Sequence, residues 1–146
     1  MRKLVRIARR HGLSLHASRL PRDVRGYYSP HERRIYFDLS LTPNERRATI
    51  AHELGHHHHG HDCSTPANER QADVFAATLL IDPDEYVQVA RVVKSRAEIA
   101  DELDVTEDIV EVFELHCIER IGDTVYTRKH LCGIRRKYAA DQPEVG

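Results

Sequence analysis

The feature that most constrains this 146-residue chain is a histidine-rich stretch from Ile50 to His61, with the sequence IAHELGHHHHGH. It contains the pattern H-E-x-x-H, formed by His52, Glu53 and His56. On a helix, side chains four residues apart project from the same face, so both imidazoles can reach one zinc ion. The glutamate beside the first histidine is then placed to take a proton from a water molecule that the zinc activates. The pattern therefore favours a catalytic zinc site on a helix.

The sequence around the motif predicts a helix with defined ends. Thr42-Pro43-Asn44-Glu45 has the pattern of a capping box with proline at the first helical position. Gly60 is placed to end the helix after His59. The alternative is a surface helix whose histidines bind metal only adventitiously. These helix signals favour the zinc site over that alternative.

A catalytic zinc usually has three protein ligands and one open position, so a third ligand is needed. The candidates are His59, His61, Asp62, Cys63, Glu69 and Asp73. Asp62 has the spacing of the last metzincin ligand, but those enzymes also need a Met-turn and the sole methionine here is Met1.

Glu69 is the favoured third ligand. It lies in a second predicted helix beside Ala72 and Ala76, and a carboxylate facing an apolar interior needs a positive partner such as zinc. Asp73 follows one turn later. It is placed to accept a hydrogen bond from the free ring N–H of His52 without binding the metal itself, and is called here the outer partner of His52. The roles of His57, His58, His59 and His61, and the group that stabilises the oxyanion, stay open. For the oxyanion, the candidates are Tyr27, Tyr28, Tyr86 and the histidines at 57 to 59.

The remaining pattern predicts an α+β fold in a single domain over residues 1–146. An N-terminal helix and a small antiparallel sheet, with strands near 13–17, 24–28 and 35–39, occupy residues 1–41. The metal-site helices occupy residues 42–94, with capping residues at Thr65 and Asp82. A C-terminal tail, with a short strand at Val125-Tyr126, covers residues 122–146.

Residues 95–121 resemble a helix-turn-helix, which suggests DNA binding as one hypothesis. The second helix argues against it, because its first turns carry acidic residues and no Arg or Lys before Arg120. These acidic residues are Glu107, Asp108, Glu111 and Glu114. We therefore expect a packing or partner role and no direct specific DNA binding.

Composition indicates a cytoplasmic protein without membrane association. No apolar run approaches the length of a membrane span, and the basic N-terminus lacks the apolar stretch of a signal peptide. Cys63, Cys117 and Cys132 have no paired spacing and indicate reduced thiols.

The net charge of −1 is the sum of oppositely charged segments of the sequence. Residues 1–50 carry 12 Arg/Lys and 4 Asp/Glu, residues 51–119 carry 4 and 16, and residues 120–146 carry 6 and 3.

Two segments together resemble the ImmA/IrrE family of metallopeptidases. They are TPNERRATIAHELGHHHHGH and the later NERQADVFAATLLID, which is similar to the family pattern E-x-x-A-x-x-F-A-x-x-L-L from Glu69 to Leu80. The resemblance covers roughly residues 13 to 120. It implies a zincin-like fold with Zn²⁺ held by His52, His56 and Glu69, and with Glu53 as the catalytic base.

The resemblance also implies a function. Members commonly act in bacteria, phages and mobile elements, where they cleave a partner repressor. The expected activity is thus that of a zinc metalloendopeptidase acting on a protein, namely a helix-turn-helix transcriptional repressor. The alternative is a non-catalytic metal-binding module that acts by docking to a repressor or to DNA. The sequence does not reveal the substrate, the cleaved bond, the activating signal or the oligomeric state.

Overall fold

The computed structural model describes residues 1–121, 124–127 and 137–139. The chain divides into two compact units, Met1–Ala76 and Ala77–Gly146. The helices are α1 (Arg2–Arg10), α2 (Pro43–His59), α3 (Pro66–Leu80), α4 (Pro83–Val92), α5 (Arg96–Glu102) and α6 (Glu107–Val112). The strands are β1 (Ser14–Ser18), β2 (Gly26–Ser29), β3 (Arg34–Asp38), β4 (Ile118–Ile121), β5 (Thr124–Thr127) and β6 (Lys137–Ala139). This architecture confirms the predicted α+β class, while the prediction of a single domain stays a prediction.

The first unit contains a three-stranded sheet in the order β1-β3-β2. β2 pairs with β3 in antiparallel fashion, but β1 pairs with β3 in parallel. The prediction of an antiparallel sheet was therefore wrong for this pair, and the sheet is mixed. β3 carries Ile35 and Phe37, which are buried, and takes the central position between β1 and β2. β1 therefore pairs with β3 and not with β2, the strand that follows it in sequence.

α2 begins and ends where the sequence predicts. The Thr42 side chain accepts from the Glu45 N–H, and the Glu45 carboxylate accepts from the Thr42 N–H, so the capping box is complete. Gly60 follows the helix with φ of 67°, in the left-handed region that glycine adopts without strain. Ile50, Ala51 and Leu54 are buried and form the apolar side of the helix.

α3 begins in the first unit and continues into the second. Its most buried side chains are alanines, namely Ala72, Ala76 and Ala77. Phe75, Leu79 and Leu80 are only half-buried. The small alanine side chains let α3 lie close to Gly55 of α2, and Phe75 stacks on the His58 ring.

The second unit holds α4, α5, α6 and a π-helical segment, Phe113–Cys117, that continues α6. α5 and α6 are joined by a short turn, as the helix-turn-helix pattern predicts, with Val105 buried in that turn. β4, β5 and β6 form an antiparallel sheet in that order. The strand predicted at 125–126 is thus confirmed as part of β5. β4 and β6 had no clear sequence signal, and the rest of the predicted tail lies outside the described residues.

Within the described ranges, no helix combines the length and the apolar character that a membrane crossing requires.

Candidate metal centre and active site

Three donor groups from two helices of the first unit meet at one point. α2 contributes His52 and His56, and α3 contributes Glu69 from its first turn. His52 Nε2 lies 3.0 Å from Glu69 Oε2, and His56 Nε2 lies 3.3 Å from Glu69 Oε1. The two Nε2 atoms are 3.1 Å apart. Among the described residues, these three are the set that meets the geometric conditions for holding a metal ion.

The donor triangle formed by His52, His56 and Glu69 is small enough to share one zinc ion. A tetrahedron with zinc–nitrogen or zinc–oxygen bonds of about 2.0–2.1 Å has edges of about 3.3 Å between donors. The contacts of 3.0 to 3.3 Å, in which each histidine meets a different oxygen of Glu69, are close to that value. Two neutral nitrogens and one carboxylate also match the ligand set of a catalytic zinc site with one position left open. The residues present therefore fit a zinc ion.

Asp73 lies behind His52, at the position the sequence predicts. The Asp73 Oδ1 atom is 2.8 Å from His52 Nδ1. A carboxylate only accepts, so the His52 proton is held on Nδ1 and the lone pair on Nε2 is left for a metal. Asp73 is thus placed as the outer partner of His52.

The other candidate ligands lie outside the donor triangle. Asp62 and Cys63 line the same cleft but do not join the group. His59 stacks on the ring of His61, with centroids 5.3 Å apart. The Nδ1 atom of His61 lies 3.0 Å from the Nδ1 of His56, on the side of that ring opposite to Glu69. The geometry thus favours Glu69 as the third donor.

Glu53 is the buried acid of the site, with only 9% of its surface exposed. Burial raises the pKa of Glu53 to about 7, although the charge of His52 lowers it. The backbone N–H of Tyr28 on β2 donates a hydrogen bond to the Glu53 carboxylate. Glu53 therefore lies beside the donor triangle with a pKa suited to both accepting and releasing a proton near neutral pH.

The pKa values of the two motif histidines are shifted in opposite directions. Burial lowers the pKa of His52, but the hydrogen bond that His52 donates to Asp73 and the charges of nearby carboxylates outweigh it and raise the pKa overall. Burial and the neighbouring His52 together lower the pKa of His56. The lowered pKa favours the neutral form of His56, which is the form of histidine that binds a metal ion.

A cleft of about 370 Å³ opens onto these groups. β2 forms one wall through Gly26, Tyr27 and Tyr28, and the loop from His61 to Ser64 forms another. Of the tyrosines considered for oxyanion stabilisation, the two on β2 line the cleft. Tyr86 instead donates to Glu114 within the second unit. The structure thereby narrows the tyrosine candidates to Tyr27 and Tyr28.

Three residues of the site escaped the sequence analysis. The Ser64 hydroxyl donates to Glu69 Oε1 at 3.0 Å. A Cβ on Gly26 would clash with Thr49 and come within 3.3 Å of Glu53 Oε1. A Cβ on Gly55 would lie 2.9 Å from the Cα of Ala72. Gly55, the glycine of the HELG sequence, was a usable signal for close helix packing. The roles of Ser64 and Gly26 depend on tertiary contacts that the sequence does not indicate.

A comparison with known protein families shows which family the chain belongs to. The model of the family Peptidase_M78, described as the IrrE N-terminal-like domain, matches residues 8–113. The chain belongs to this family. The predicted resemblance to ImmA/IrrE peptidases is thus confirmed.

Solved structures agree on the fold. The chain is similar to a Mycobacterium tuberculosis transcriptional regulator, with a TM-score of 0.67 at 19% sequence identity. The match covers 98% of this chain and 50% of that one, so this Peptidase_M78 member spans about half the length of the regulator. No curated protein matches the chain.

Proposed function

We propose that the chain is a zinc-dependent endopeptidase that hydrolyses a peptide bond in a protein partner. One observation carries the proposal: the donor triangle of His52, His56 and Glu69 has a buried glutamate beside it and a cleft in front of it. A structural zinc site needs four protein ligands and no proton acceptor, whereas a hydrolytic site needs three ligands and a general base. Membership of a peptidase family supports the same function.

The residues have separate tasks in this proposal. His52, His56 and Glu69 hold zinc, and Asp73 fixes the ring of His52. When bound, zinc lowers the pKa of a water molecule to near neutrality and polarises the scissile carbonyl. Glu53 takes the proton from the attacking water onto a carboxylate oxygen and passes it to the nitrogen of the leaving amine. In the metal-free protein, burial raises the pKa of Glu53 to about 7.

β2 supplies the surface for an extended peptide. The strand stands at the end of the order β1-β3-β2 and also lines the cleft. The outer edge of an end strand can accept a peptide as an added strand through main-chain hydrogen bonds. A peptide bound along β2 would run past Glu53, whose carboxylate is hydrogen-bonded to the same strand.

The proposed substrate is a helix-turn-helix transcriptional repressor of a phage or mobile element. The family resemblance supports this, and the similar solved structure is a transcriptional regulator. That structure also favours one alternative, a metal-binding module that regulates by docking without cleavage. A repressor encoded beside this chain is the first substrate to test.

Metal dependence of cleavage separates the two functions. The candidate repressor is incubated with zinc-loaded protein, with chelated protein, and with chelated protein to which zinc has been restored. The peptidase proposal predicts fragments in the first and third reactions and none in the second. Stable binding of the repressor without fragments in all three would overturn it and favour the docking module.

A further inference from the structure

The Nδ1 atoms of the two motif histidines, His52 and His56, contact different kinds of side chain. Behind His52 stands the carboxylate of Asp73. Behind His56 stands a second imidazole, with His56 Nδ1 and His61 Nδ1 3.0 Å apart. The chain of contacts continues from His61 Nε2 to the Oε1 atom of Gln71 at 2.7 Å.

If His56 binds the metal ion, the hydrogen bonds that link His56, His61 and Gln71 can have only one donor-to-acceptor direction. A neutral imidazole has one N–H donor and one acceptor nitrogen. With the Nε2 lone pair of His56 directed at the metal, its proton lies on Nδ1 and is donated to His61 Nδ1. His61 then carries its own proton on Nε2 and donates it to Gln71 Oε1, which only accepts. Each contact thus joins one donor to one acceptor, and the amide of Gln71 ends the chain.

The backbone brings His61 to this position by a helix-ending motif. The N–H of Gly60 bonds to the carbonyl of His57 at 3.1 Å, and the N–H of His61 bonds to the carbonyl of His56 at 2.9 Å. With Gly60 in the left-handed region, this is the Schellman pattern, which commonly brings the residue after the glycine against the last helical turn. Here that contact joins two imidazoles.

We propose that His61, oriented by Gln71, is a positioning residue for the metal ligand His56. It holds the His56 proton on Nδ1 and fixes the ring plane, as Asp73 does for His52. His61 is not a ligand itself, since both of its nitrogens are engaged by His56 and Gln71. The inference rests on the proposed zinc site and names the group that supports its second histidine.

Zinc affinity tests the proposal, measured by competition with a chromophoric chelator. His61→Phe keeps a ring of similar size without nitrogens and should weaken zinc binding by about 10- to 100-fold. Gln71→Leu should cause a smaller loss, because Gln71 is exposed and water can replace it. His58→Phe is the matched control, since His58 belongs to the same histidine run but stacks on Phe75. It should leave the affinity unchanged.

Two spectroscopic readouts exclude a merely structural role. In the zinc-loaded protein, the ¹⁵N resonances of the rings should show the proton of His56 on Nδ1 and that of His61 on Nε2. The cobalt-substituted His61→Phe variant should keep the absorption bands of a site with the same ligands. A His61 proton on Nδ1, or bands that show a lost nitrogen ligand, would overturn the proposal.

The outcomes also separate this inference from the proposed function. A wild-type protein that binds no zinc overturns both. Wild-type binding with unchanged affinity in His61→Phe and Gln71→Leu overturns the inference alone. Urea unfolding of the metal-free variants shows whether the fold is kept, and if His61→Phe does not fold, the ring tautomers and Gln71→Leu decide the question.

Discussion

At the level of single residues, burial distinguishes Glu53 from two other carboxylates near the motif histidines, those of Glu69 and Asp73. Glu53 is 9% exposed, whereas the side chains of Glu69 and Asp73 are 39% and 49% exposed. Ionisation of a buried carboxyl is costly, and this cost raises the pKa of Glu53 to about 7. Burial thus separates the pKa of Glu53 from the ordinary value of a glutamate.

The raised pKa of Glu53 predicts a pH dependence of stability in the metal-free protein. With a folded pKa of about 7 against an ordinary value of 4.5, the folded state holds the proton more tightly than the unfolded state. Its contribution to stability is fully present below pH 4.5 and is lost as pH rises through 7. The loss amounts to at most about 3 kcal/mol. In Glu53→Gln this part of the decline should be absent.

Urea unfolding of both metal-free proteins between pH 5 and 8 checks this. Because the charge of Glu53 also raises the pKa of His52, the difference between the two stability curves reports Glu53 together with its coupling to His52. Parallel curves across that range would show that the Glu53 carboxyl is not held neutral by burial.

The donor triangle predicts that replacing two acidic residues of the cleft by alanine will affect zinc affinity to different degrees. Glu69→Ala removes an oxygen that lies 3.0 Å from His52 Nε2, and should weaken zinc binding by at least about a hundredfold, beyond the usual cost of losing an outer partner. Asp62→Ala is the control, because Asp62 lines the cleft outside the triangle. It should change zinc affinity little. The reverse order of effects in chelator competition would transfer the ligand role to Asp62.

At the scale of elements, the site depends on how closely α2 and α3 approach within the first unit. Gly55 lies one residue before His56, and the absence of its side chain lets the backbone of Ala72 come near. The same approach brings Glu69 of α3 to the histidines of α2. Close helix packing and donor geometry thus have a common cause.

Gly55→Ala should therefore damage both stability and metal binding. The new Cβ would lie 2.9 Å from the Cα and 3.0 Å from the carbonyl oxygen of Ala72, so one helix must move. Overpacking costs about 1–3 kcal/mol, of which the better helix propensity of alanine recovers up to about 1 kcal/mol. We expect a net loss of about 1 kcal/mol in urea unfolding, together with weaker zinc binding.

Ala48→Gly on α2 provides the control for destabilisation. It should cost about 1 kcal/mol, mainly through helix propensity, while zinc affinity stays at the wild-type value. If Gly55→Ala kept full zinc affinity, the link between helix approach and donor geometry would be disproved.

The elements also show which features the sequence could predict. The ends of α2 depend on local signals, the box at Thr42 and the glycine at 60, and both predictions are confirmed. The pairing of β1 with β3 depends on which strand is central, and the alternation pattern carries no such information. The contact of His61 with His56 was missed, although the glycine before His61 was a usable signal for it.

At the scale of the whole molecule, charge is divided along the chain. Residues 1–50 have a net charge of +8, from 12 basic and 4 acidic residues, and residues 51–119 have −12, from 4 and 16. Within the second unit, Arg96 of α5 pairs with Glu111 at 3.9 Å and with Glu114 at 3.1 Å. Arg96 is thus engaged by two of the acidic side chains that follow it in the chain.

This charge distribution predicts that residues 95–121 do not bind duplex DNA specifically. Acidic residues on α6 would repel the phosphate backbone that a recognition helix must approach. A gel shift with the purified chain and a pool of duplexes should show no sequence preference. Selection of one sequence with strong salt dependence would contradict the prediction and favour the docking alternative.

A cleavage time course with Glu53→Gln tests whether this Peptidase_M78 member hydrolyses a protein. Glutamine keeps the size of the side chain and an oxygen that accepts a hydrogen bond, but it cannot take the proton from water. Both proteins are loaded with zinc, matched for zinc content and helix content, and incubated with the candidate repressor. We predict cleavage by the wild type and a rate at least about a hundredfold lower for the variant. Equal rates would remove Glu53 from the mechanism.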